Sequence, residues 1–168
     1  MNRSRLLVSA AAAGLLILAV AAPALGTPSA GVLSAPILAR GDFTDRVDVK
    51  IKYGTSHGVG VANAPDAGEV VVQEITIAPN GTTGWHSHPG PVVVVVKSGA
   101  LTFVDAEMGA CTQTTYAAGT AFVDPGQGHA HMAYNTSSTA NLVLVATYFD
   151  VPVGASPRID VPVVPPAC

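Results

Sequence analysis

Four histidines stand in two short pairs, His86-Ser87-His88 and His129-Ala130-His131. In an extended chain, residues i and i+2 share one face, so each pair can aim two imidazoles at one point. Imidazole is a ligand for Zn, Cu, Fe and Ni. Ordinary loop histidines near strand ends are the plainer reading of one such pair. Two pairs, with only His57 elsewhere, favour a transition-metal site. Other chemistries lack their residues. No Gly-x-Ser-x-Gly run offers a nucleophilic serine, and no Gly-rich phosphate loop opens a helix.

Strands must position these pairs. Val47, Val49, Ile51 and Tyr53 alternate with Asp48, Lys50 and Lys52, a period of two with one polar face. Residues 54–68 read as turn-rich. A strand is predicted over Val70–Ala78, ended by Pro79-Asn80-Gly81. Five consecutive valines between Pro91 and Lys97 predict a buried strand, which turns at Ser98-Gly99 into Ala100–Asp105. Thr114–Ala117, Ala121–Asp124, His129–Asn135 and Asn141–Val151 complete the set. Short strands with frequent turn signals indicate an all-β sandwich or barrel. No convincing helix follows residue 26.

The histidine runs resemble the two motifs of the cupin family, over about residues 70–150 and as a small single-domain cupin of type-2 kind. The first motif is a Gly-flanked His-x-His, a short spacer, a Glu, six residues and a Gly. Here His86-Ser87-His88 is followed by Pro89-Gly90-Pro91, then Val92, then six residues to Gly99. The second motif fits Gly119, Pro125, Gly128, His131 and Asn135, with one extra residue between Pro125 and Gly128. The resemblance implies a jelly-roll β-barrel with metal ligands at His86, His88 and His131. Val92 stands where the family has its Glu and ligates nothing. Three neutral imidazoles leave a divalent ion its full charge, which sharpens its Lewis acidity. They also disfavour hard, oxygen-seeking cations, so Zn or Cu is expected, with Fe open because three-His cupin dioxygenases use iron. His129 is read either as a fourth ligand or base behind the metal, or as a turn residue facing solvent. Asp124, ahead of Pro125, is read as a turn residue. Tyr134 is expected to face outwards and Trp85 to pack. One of Gln73 and Glu74 must face the interior. The resemblance also admits a homodimer through strand edges.

The rest of the chain sets the context. It has 168 residues, 49% apolar and 11% charged. That is one domain's worth of chain, too apolar for disorder. Arg3 and Arg5, the apolar run to Ala22 and the small residues at 22–26 predict a secretory signal peptide over 1–26, exported by the Sec route and leaving no stable membrane association once cleaved. From Thr27 onwards six basic residues face eleven acidic ones, a balance that excludes nucleic acid as partner. Few lysines and abundant Ala and Val suggest a bacterial source. The boundaries expected are a linker at 27–45, the barrel domain at 46–151 and a Pro-rich tail at 152–168 that pairs poorly in a sheet. An oxidising compartment favours a Cys111–Cys168 disulfide. The functions compatible with these residues are a metal-dependent oxygenase-like or isomerase/hydrolase-like enzyme on a small molecule, a non-catalytic metal- or ligand-binding module, or a structural barrel.

Overall fold

The computed structural model describes residues 28–55, 58–106 and 111–161. The expected signal peptide, His57 and Cys168 lie outside the described residues, and with them the Cys111–Cys168 pairing. Thirteen strands are present among the described residues, and no helix. They are β1 (Ala30–Ser34), β2 (Ile37–Asp42), β3 (Val49–Thr55), β4 (Gly58–Ala64), β5 (Glu69–Thr82), β6 (His86–Ser87), β7 (Val92–Ser98), β8 (Ala100–Asp105), β9 (Thr112–Ala117), β10 (Ala121–Asp124), β11 (His131–Asn135), β12 (Leu142–Val151) and β13 (Ile159–Asp160).

The all-β jelly-roll expected from the sequence is what forms. Eleven strands make one antiparallel sheet that curls into a nearly closed barrel. The spine is β5, fourteen residues long. On one side it pairs with β12, from Leu142↔Ile77 to Tyr148↔Val71. On the other it takes β1 and β2. β12 continues to β7, and β7 to β10. The opposing wall holds β8, β9, β11, β6 and β13.

Local chemistry explains the departures from expectation. The valine run of β7 is buried only at alternate positions. Val92, Val94 and Val96 enter the core, whereas Val95 is 41% exposed. Successive side chains in a strand point to opposite faces, so an apolar run need not be covered on both. Pro79-Asn80-Gly81 does not end its strand. Asn80 takes a φ of 57° and donates its N–H to the Ser137 carbonyl, so β5 bends and runs on to Thr82. Residues 58–64, expected as turn, pair with β3 as a hairpin. There Gly60 leaves room for the Tyr53 ring, which a Cβ would strike.

The composition also misleads at both ends of the barrel. Residues 30–42, expected as linker, form β1 and β2. Backbone pairing with β5 needs no strong apolar pattern, and these strands are mostly exposed. The Pro-rich tail likewise returns to the sheet, where β13 pairs Ile159 with Ser87 and Asp160 with His86. Pro152 and Pro157, the tail prolines among the described residues, lie outside that two-residue pairing.

Candidate metal centre

His86 and His131 are direct cross-strand partners between β6 and β11. His88 lies two residues past His86, and all three side chains are buried. Their ring centroids are 4.3 to 5.0 Å apart. One ligand nitrogen from each falls within 4.8 Å of the others. The i, i+2 parity read from the sequence brings His86 and His88 together, and the β6–β11 register adds His131, whereas His129, the other half of its pair, lies outside the strand and outside this group.

Each ring has its Nδ1 against a backbone carbonyl. His86 meets Gly84 at 2.8 Å, His88 meets Pro157 at 2.7 Å and His131 meets His129 at 3.3 Å. A carbonyl only accepts, so Nδ1 carries the proton and donates it. Nε2 is left with its lone pair, the tautomer a metal requires. Burial reinforces this neutral state. It holds His88 at about 4 and His131 at about 3. His86 is pushed well below the usual range by burial and by the neighbouring histidines. These residues fit a divalent transition metal.

Asp124 is not the turn residue expected from its place before Pro125. It is 1% exposed, and its Oδ2 lies 3.2 Å from His131 Nε2 and 3.5 Å from His88 Nε2. The Gly126 N–H donates to its other oxygen at 2.9 Å. Burial pushes the carboxyl upwards, against the opposing pull of the neighbouring His88 and the Gly126 hydrogen bond. In the β10–β7 ladder, Asp124 stands directly opposite Val92.

A family model described as cupin matches residues 43–158. The chain belongs to the cupin family. Solved structures similar to this cupin include a cupin domain from Bordetella pertussis. It is 22% identical over 75% of this chain and all of the other, with a TM-score of 0.47. A cupin-like protein from Thermotoga maritima is 20% identical over 55% of this chain and 64% of its own, with a TM-score of 0.44. Recombinant oxalate oxidase in complex with glycolate is 26% identical over 48% of this chain, with a TM-score of 0.43. This cupin spans only 41% of that oxidase chain. No curated protein matches.

Around the histidines, the cupin barrel holds a partly open cavity of about 280 Å³. Its wall is mostly apolar, with Val94, Leu101, Phe103, Phe122 and Leu144 among the lining residues. Phe103 stacks on His131, with ring centroids 5.0 Å apart. Val32 and Ala35, from the stretch expected as linker, also line it. The choice between Gln73 and Glu74 resolves in favour of Gln73, which faces the cavity. Glu74 points outwards to Lys97 at 2.7 Å. Tyr148 donates its hydroxyl to Gln73 Oε1 at 3.1 Å and sets its ring edge against His88. Burial raises the Tyr148 phenol above its usual range, so it stays a donor. Arg158 completes the lining from the tail, its Nε 2.7 Å from Asp160 Oδ1.

His129 stands outside the three-histidine group. It follows the Gly126–Gly128 turn, and its Nε2 lies 2.9 Å from Asp105 Oδ1. It forms a second candidate cluster with Asp124 and His131. Trp85 is buried, and Tyr134 bonds outwards to Gln113. Sequence reasoning missed Tyr148 and Arg158. A tyrosine inside a strand and an arginine in a Pro-rich tail carry no local signal of a shared cavity.

Proposed function

We propose that this cupin is a metal-dependent enzyme that acts on a small molecule inside its barrel. The observation that carries the reading is the matched set of three imidazoles. Each has Nδ1 committed to a carbonyl, and one ligand nitrogen of each lies within 4.8 Å of the others. A divalent Zn, Cu or Fe ion held there supplies Lewis acidity or, for Cu and Fe, one-electron chemistry. The chain's own groups do the rest. The valine and phenylalanine walls exclude water and accept an apolar body. Tyr148 and Arg158 offer hydrogen-bond donors to a polar or anionic head group, and Gln73 fixes the Tyr148 hydroxyl.

A phenol inside the cavity, that of Tyr148, favours turnover over simple capture, because it can hold a proton beside a bound molecule. The leader-like residues 1–26 support a secreted protein, with the metal taken up outside the cytoplasm and the Cys111–Cys168 bond formed there. The test is metal analysis of the protein from its native secretion route, followed by oxygen-uptake and product screens on small diketones, thiols and phenols. One equivalent of metal with turnover supports the reading. One equivalent without turnover on any class reduces the protein to a binding module, and no metal at any pH overturns the reading.

A further inference from the structure

We infer that Asp124 is the fourth metal ligand, taking over from across the strand ladder the duty that Val92 cannot perform. This rests on the metal reading above and goes beyond its three histidines. Three observations carry it. The β10–β7 register sets Asp124 directly opposite Val92, so its carboxylate enters the barrel at the rung where the family motif has its acid. The oxygen–nitrogen distances to two of the three histidines also fit. Two ligands each about 2.0–2.2 Å from one ion, at angles near 90–110°, lie about 3.0–3.5 Å apart. Asp124 Oδ2 is 3.2 Å from His131 Nε2 and 3.5 Å from His88 Nε2.

The third observation is a convergence of acceptors. Both Nε2 atoms present lone pairs because Nδ1 holds the proton. A carboxylate oxygen aimed at two lone pairs in a buried site is repelled unless a cation or a proton sits among them. The other oxygen, Oδ1, accepts from the Gly126 N–H and lies 3.8 Å from His129 Nδ1. Asp124 is thus held from behind, with Oδ2 turned inwards.

The donor set becomes three nitrogens and one oxygen, and the anion offsets one of the two metal charges. That weakens the Lewis acidity expected of three neutral imidazoles and widens the site to harder ions.

The experiment strips the full-length protein of metal and titrates Cu²⁺ against a competing chelator, for wild type and Asp124→Asn. The amide keeps an oxygen for the Gly126 N–H, and circular dichroism of both apo-proteins checks the fold. Wild type binds one equivalent, and Asp124→Asn binds it at least about tenfold more weakly, with an electron paramagnetic resonance spectrum shifted towards an all-nitrogen set. Affinity within about twofold of wild type and an unchanged spectrum overturn the inference and leave the three-histidine reading intact. Wild type that binds no Cu²⁺ overturns both. If Asp124→Asn does not fold, wild type labelled isotopically at its aspartate carboxyl carbons decides. A hyperfine coupling from a carboxyl carbon to the bound ion supports Asp124 as ligand, and its absence overturns it.

Discussion

His88 Nδ1 donates to the carbonyl oxygen of Pro157 at 2.7 Å, although 69 residues separate them. A metal-facing ring is therefore oriented by the C-terminal segment and not only by its own strand. That segment is itself fastened by Arg40, which donates to the Ala155 carbonyl at 2.9 Å and pairs with buried Glu69 at 2.5 Å. Removing Arg40 leaves Glu69 with an uncompensated buried charge. Arg40→Ala is expected to lower stability by about 1–3 kcal/mol and to weaken metal binding severalfold. Arg46→Ala, at an exposed ion pair with Asp48, is expected to change stability by less than about 0.5 kcal/mol. Urea unfolding and chelator competition measure both. Equal effects of the two substitutions would show that the tail does not support His88.

The ligand assignment separates the histidines. His88→Ala and His131→Ala are each expected to abolish stoichiometric metal. His129→Ala is expected to keep one equivalent, with affinity down less than about tenfold, since it lies outside the three-histidine group and meets the centre through Asp124 and His131. Elemental analysis after gel filtration is sufficient. Loss of metal from His129→Ala as complete as from His131→Ala would place His129 in the ligand set.

Acid should destabilise the apo-protein well above the carboxylate range. Burial holds His88 at about 4 and His131 at about 3, and lowers His86 as well. In the unfolded chain these rings titrate near 6.5. Below that pH the unfolded state binds more protons than the folded one, so stability falls as pH falls towards 4. Each histidine contributes a slope of up to about 1.4 kcal/mol per pH unit. Asp124, with its raised pKa, opposes this only below its own folded value. Urea unfolding is expected to show a loss of a few kcal/mol between pH 7 and pH 5. A flat profile would mean that the rings are hydrated.

Asn135 is the structural half of its motif. Its Nδ2 donates to the carbonyls of Ile77, Ala78 and Ala140, and its Oδ1 accepts from the Ser137 N–H. It stitches the bend of β5 to the turn after β11. Asn135→Ala strands these buried groups, and a loss of about 2–4 kcal/mol is expected. Metal stoichiometry in the folded fraction should be unchanged. Thermal melting with metal analysis would expose any ligand role.

The barrel and the His86–His88 pair were legible because their signals are local, while His131 was singled out by the motif resemblance. Alternation marks strands, and His-x-His parity puts two rings on one face before any tertiary structure is known. Asp124 was illegible for the opposite reason. An Asp before a Pro at a strand end looks like a turn residue, and only the β10–β7 register reveals where its carboxylate goes. β1 and β2 escaped because their residues, such as Leu33, Leu38 and Arg40, lie mostly exposed on a neighbour's edge and show no alternation. Pairing partners decide such segments. Arg158 and Pro157 reach the cavity by the same non-local route.

The facing of Val92 by Asp124 has a consequence for how this barrel's motif is read. Residues opposed on one antiparallel rung put their side chains on the same face of the sheet. A group missing from one strand can therefore be supplied by its neighbour without moving the shell, so a gap in the linear signature is not a gap in space.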